Sequence, residues 1–102
     1  MTAGPRLGLL VVYTEHLEEA HRFFSGLGLT FVAEQHGSGP SHYAATLPDG
    51  TVFELCPADD RRPASRTRLG FHVLARQLRQ PLSPGRHVLR DPDGRAVELY
   101  VG

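Results

Sequence analysis

The apolar run LGLLVVY at 7–13, rich in β-branched and aromatic residues, predicts a first strand buried on at least one face. Immediately after it the hydrophobic period lengthens. Leu17, Ala20, Phe24 and Leu27 recur at helical spacing, with Phe23 beside them. They follow Thr14, the predicted N-cap, and a first stretch holding Glu15, Glu18 and Glu19 where the helix dipole favours carboxylates. Gly26 and Gly28 predict the helix end, because glycine takes the left-handed conformation of a C-terminal cap. TFVAEQ (30–35) reads as a strand, HGSGPS (36–41) as a loop, and HYAATL (42–47) as a strand running into the turn at 48–50. TVFELC (51–56) is the returning strand. The first half is therefore β-α-β-β-β.

After the polar, proline-containing stretch PADDRRPASR (57–66), the strand pattern resumes at RLGFHVLA (68–75), where Arg68-Leu69-Gly70 echoes Arg6-Leu7-Gly8. In place of a second helix stands RQLRQPLSPG (76–85), whose Pro81 and Pro84 leave room for one or two turns. A final hairpin follows over 86–101. Its DPDGRAVEL (91–99) repeats LPDGTVFEL (47–55) 44 positions later. The expectation is an α+β chain forming a single domain over 1–102, with module one at about 6–56, a connector at 57–66 and an abbreviated module two at 67–102.

Composition narrows the partners. Eleven basic residues balance 11 acidic ones, so no net field draws nucleic acid or anionic lipid. The longest apolar run, at 9–13, is far short of the roughly 20 residues of a membrane-spanning helix. The N-terminal MTAGP lacks the layout of an export signal, and a cytoplasmic location is expected. Cys56 is the lone cysteine; it permits no intrachain disulfide or Cys-only metal cluster and reads as a small apolar filler.

The helix LEEAHRFFSGLGL at 17–29, PDGTVFEL at 48–55 and DPDGRAVEL at 91–99, in that order and spacing, resemble the vicinal oxygen chelate superfamily. That superfamily includes glyoxalase I, extradiol dioxygenases, fosfomycin-resistance enzymes and bleomycin-resistance proteins. The resemblance implies two βαβββ-type modules whose curved mixed sheets surround a cleft, within one chain or across a dimer. It also implies a divalent metal held by side chains from the first and last strand of each module. Glu54 and Glu98 match the last-strand positions, whereas the first-strand positions fall near Leu9 and at Arg68, which bind no metal.

Three functions follow from this pattern. The favoured one is a small-molecule binding protein of the bleomycin-resistance kind, without a catalytic metal or other cofactor, sequestering a drug-like or secondary metabolite. Its expected ligand-binding residues are Tyr13, Tyr43, His72 and Tyr100 above a floor of Glu54, Arg68 and Glu98, with Arg68 standing in for the metal. The alternative is a metal-dependent glyoxalase-like lyase or isomerase, or a fosfomycin-type transferase. Its zinc, nickel, manganese or iron would sit on Glu54, His72 and Glu98. A scaffold protein that has lost ligand function is the third. The abbreviated second module, expected to leave apolar face and sheet edge uncovered, predicts a homodimer.

Overall fold

The computed structural model describes residues 4–102; residues 1–3, part of the segment read above as lacking an export signal, lie outside the described residues. Strand β1 (Leu9–Thr14) leads into helix α1 (Leu17–Ser25), followed by β2 (Phe31–Glu34), β3 (His42–Thr46) and β4 (Val52–Pro57). The second half holds β5 (Leu69–Val73), one 3-10 turn (Ala75–Gln77), β6 (Gly85–Arg90) and β7 (Ala96–Val101). Sheet one runs β1-β4-β3-β2 and sheet two β5-β7-β6. In each, the first strand lies parallel to the last, Val11 opposite Glu54 and Gly70 opposite Glu98, while the remaining pairings are antiparallel. Module two thus lacks one strand and its helix, and the proline-rich stretch keeps a single turn.

Alternation decides which face each strand buries. Val12, Phe53 and Leu55 of sheet one and Leu69, Val97, Leu99 and Val101 of sheet two turn inward. All join Ala20 and Phe24 of α1 in one hydrophobic cluster. Phe24 lies 5.3 Å from Phe53 and 6.2 Å from Phe71, ring centre to ring centre, so the single helix is shared by both sheets. This corrects one expectation: the inner face of the helix-less module is covered from within the chain.

Three local readings are also revised. Thr14 is buried and does not cap the helix; its hydroxyl donates to Asp93 and accepts from the His16 amide at 3.0 Å, while His16 occupies the N-cap without a side-chain bond. Gly26 stays right-handed at φ −65°, and Gly28, at φ 107°, makes the left-handed turn. The RLG echo is not a structural equivalence. Strand register sets Arg68 in the place of Leu9, whereas Arg6 reaches the hydroxyl of Thr51 at 3.2 Å. Among the described residues no helix is long and apolar enough to cross a membrane.

Candidate functional site

The strand faces that turn away from the shared core carry the chemistry. In sheet one this outward face presents Tyr13 on β1, Glu54 and Cys56 on β4, His42 and Ala44 on β3, and Val32 and Glu34 on β2. In sheet two it presents His72, Glu98, Tyr100, Arg86 and Val88. Leu9, Val32, Val88 and Tyr100, four of the large apolar side chains left exposed, all belong to it. Apolar patches thus flank each partly buried glutamate.

Glu98 sits at the centre of a compact cluster. Arg86 donates to its Oε1 at 2.7 Å, Arg68 donates to the same oxygen, and the Tyr100 hydroxyl donates to Oε2 at 3.0 Å. The hydrogen bond from Arg86, followed by that from Tyr100, holds the Glu98 carboxyl below the usual carboxylate range. His72 stacks on Tyr100 with ring centres 4.8 Å apart. Four residues named from the sequence, Arg68, His72, Glu98 and Tyr100, are therefore brought together.

Glu54 has different company. Its Oε2 lies 3.9 Å from His42 Nε2, and among the described residues its ion pair shares no member with those of Glu98. The expected Glu54-Arg68-Glu98 cluster is thus divided, one half in each module. Tyr13 shares the outward face with Glu54. Tyr43 points the other way, against α1, where its hydroxyl donates to Glu18 at 2.8 Å and its ring stacks on His21 at 3.9 Å. That bond to Glu18 raises the Tyr43 phenol above its ordinary value. Burial first, and the Glu54 charge second, push the Cys56 thiol up, which disfavours a reactive thiolate.

Sequence reasoning missed His42 and Arg86, and the repeat contained the signal for both. They stand 44 positions apart, as Glu54 and Glu98 do, so each occupies the same place in its hairpin. Counting back from the PDG turns puts Ala44 opposite Glu54 and Val88 opposite Glu98; His42 and Arg86 follow one same-face step along. Each last-strand glutamate receives a cationic or imidazole partner from the preceding strand.

Two recesses accompany these clusters. A groove of about 630 Å³, lined by Arg66, Arg68, Val88 and Arg90 among others, opens beside Glu98. A smaller apolar cavity of about 210 Å³ lies elsewhere, between the end of α1 and the stretch around Leu78 and Leu82 that follows the 3-10 turn. Neither lining includes Glu54 or Glu98; the groove reaches the Glu98 cluster through Arg68 and Val88.

Two linked mixed sheets, each opening on a strand parallel to its last and sharing one helix, form the fold of the vicinal oxygen chelate proteins. The similarity to individual members is one of structure. A glyoxylase/bleomycin resistance protein/dioxygenase domain from Frankia sp. EAN1pec superposes with a TM-score of 0.61 at 19% identity, covering 99% of this chain and 93% of that one. TnmS3, an antibiotic binding protein from Streptomyces sp. CB03234, gives 0.62 at 20% identity over 99% and 98%. The fosfomycin resistance protein FosX from Mesorhizobium loti gives 0.58 at 17% identity over 100% and 94%. No protein-family model and no curated protein matches the chain.

The residues present do not fit the metal this fold commonly carries. Leu9 offers no donor atom, and Arg68 is itself a cation bonded to Glu98, whose Oε1 is shared with Arg86. Nor does the alternative triad form: Glu54, His72 and Glu98 do not converge as a possible metal-binding group among the described residues.

Proposed function

We propose that this protein binds a small drug-like molecule or secondary metabolite, in the manner of a sequestering protein rather than a metal-dependent lyase or transferase. The observation that carries the reading is the groove of about 630 Å³ beside the Glu98 cluster. Its volume is that of an ordinary ligand pocket, roughly 300–1,000 Å³. Arg66 and Arg90 line it together with Arg68 and a single carboxylate, Asp93, and Val88 supplies apolar surface. Such a lining suits a ligand with an apolar body and an acidic or oxygen-rich group, because guanidinium groups recognise carboxylate and phosphate oxygens in a planar fork. Binding of antibiotic by a structure of the same fold, TnmS3, is consistent with it.

Around Glu98, next to the groove, the ion cluster takes the place of a Lewis acid on the outward face. His72 and Tyr100 form a stacked aromatic pair on that face; Tyr13 and Glu54 extend it into sheet one. The reading places the protein in the cytoplasm as a homodimer, the partner chain closing the open outward faces into a cleft.

Thermal unfolding with a panel of acidic, partly apolar compounds tests this proposal. A ligand at 100 times its dissociation constant adds about 2.7 kcal/mol of stability. That gain is expected to disappear in Arg68→Ala and to persist in Arg22→Ala, which alters the smaller cavity. Stabilisation lost in Arg22→Ala and kept in Arg68→Ala would move the site to the seam beside α1.

A further inference from the structure

The β2-β3 hairpin holds a second cluster, away from the Glu98 groove. Glu34 and His42 are direct cross-strand partners, and the loop between the strands brings His36 back over them. Glu34 Oε1 lies 3.2 Å from His42 Nε2 and 3.7 Å from His36 Nε2, so one carboxylate oxygen meets the same nitrogen of two imidazoles. One ligand atom from each of the three residues lies within 4.8 Å of the other two. Zinc bonded to nitrogen and oxygen at about 2.0–2.1 Å in a tetrahedron spaces its ligand atoms about 3.3–3.4 Å apart. The two measured separations bracket that spacing.

Charge reinforces the geometry. His42 Nε2 faces two carboxylates, Glu34 at 3.2 Å and Glu54 at 3.9 Å, yet this ring nitrogen carries at most one hydrogen to donate. A divalent cation in the hydrogen's place accepts lone pairs from both imidazoles and neutralises both carboxylates. The His42 side chain is 11% exposed and that of His36 79%, so one wall is held by the sheet while the other is open to water. By contrast, in the Glu15, His16 and Asp93 group, Asp93 is already taken up by Thr14 and Arg95.

We propose that Glu34, His36 and His42 bind a divalent transition metal, with zinc as the best match, and that Glu54 stands beside its remaining coordination position. Imidazole and carboxylate donors in a half-open site suit zinc and exclude a preference for calcium or magnesium. This site belongs to module one alone; it shares Glu54 with the outward face of the small-molecule reading but no residue with the lining of the groove.

The test uses the full chain stripped with a chelator and titrated with zinc by calorimetry, with cobalt as a coloured substitute. One zinc per chain is expected, with the intense visible bands of tetrahedral cobalt. Loss of an outer-shell partner alone weakens metal sites by about 10–100-fold, so His36→Ala and Glu34→Gln should each cost more. His36 is exposed enough for its variant to fold. Absence of stoichiometric binding, binding unchanged in His36→Ala, or binding abolished by Glu98→Gln would each overturn the proposal. Small-molecule stabilisation measured in excess chelator separates failure of this site from failure of the groove.

Discussion

Arg95 is 3% exposed, and its whole polar end is engaged. One guanidinium nitrogen donates to Asp91 at 2.6 Å and to Asp93 at 3.1 Å, Nε donates to the Ser65 carbonyl at 2.9 Å, and the remaining nitrogen donates to the Tyr13 carbonyl. The β6-β7 turn is thereby fastened to the end of β1 and to the connector. At the corresponding place in module one stands Thr51, also buried, whose hydroxyl donates to the Leu7 carbonyl at 2.7 Å. The two copies of the turn share a backbone and differ in reach. Removing one member of a buried, fully bonded ion pair leaves the other charge stranded, at a cost of about 3–5 kcal/mol. Asp91→Ala and Arg95→Ala are each expected to lose about that much in urea unfolding; a change under about 1 kcal/mol would show the pair to be solvated. In the sequence Arg95 is one arginine after a turn, and nothing local distinguishes it from exposed neighbours. Its burial comes from Tyr13 and Ser65, 82 and 30 positions away.

At the level of elements, the hairpins do most of the work. Strand pairing was readable because PDG turns and two-residue alternation both follow from local backbone preferences. The helix was readable from its apolar spacing, but its cap was not, because Thr14 is drawn instead toward Asp93. Acid sensitivity also belongs to the hairpins. Glu98 is held low by Arg86 and Tyr100, and Asp49 by the Thr51 amide and hydroxyl. Burial alone would push Asp93 up, but hydrogen bonds from Thr14 and the Glu15 amide, with Arg95 nearby, outweigh it and leave its carboxyl low. In each case the folded value lies below the unfolded one, about 3.9 for Asp and 4.3 for Glu. Their contribution is therefore complete above about pH 5 and is lost as pH falls through the folded values. The melting temperature is expected to fall on acidification, modestly where solvent screens the carboxylate. Arg86→Gln should be less stable than the parent at neutral pH and converge with it in acid; a gap independent of pH would contradict this assignment.

For the whole molecule, exposure rather than burial motivates assembly. Leu9 is 55% exposed, Val32 62% and Val88 46%, all on the outward faces, and β2 and β6 end their sheets as open edges. Such faces and edges invite a second chain. The proposed homodimer would sediment as a two-chain species at micromolar concentration, and Val32→Lys or Val88→Lys should shift it toward monomer without lowering the melting point of that monomer. A stable monomer in the parent would remove the dimer from the proposal.

The sequence by itself determined the tandem order of strands, the shared helix's apolar stripe and the two outward glutamates, since each depends on neighbours within a hairpin or a turn. It also showed that Leu9 and Arg68 carry no side-chain atom able to bind a metal. Hairpin register already set His42 and Arg86 on the face of those glutamates; which of the neighbouring side chains bond them, Arg68 to Glu98 and not to Glu54, was decided only in three dimensions. Arg86 and His42 reach them across strands; Tyr43, one residue beyond His42, turns to the opposite face because alternation reverses at every step. The split of the expected cluster into an arginine-bound Glu98 and a histidine-bound Glu54 follows from packing both sheets on one helix, a long-range arrangement that no local pattern encodes.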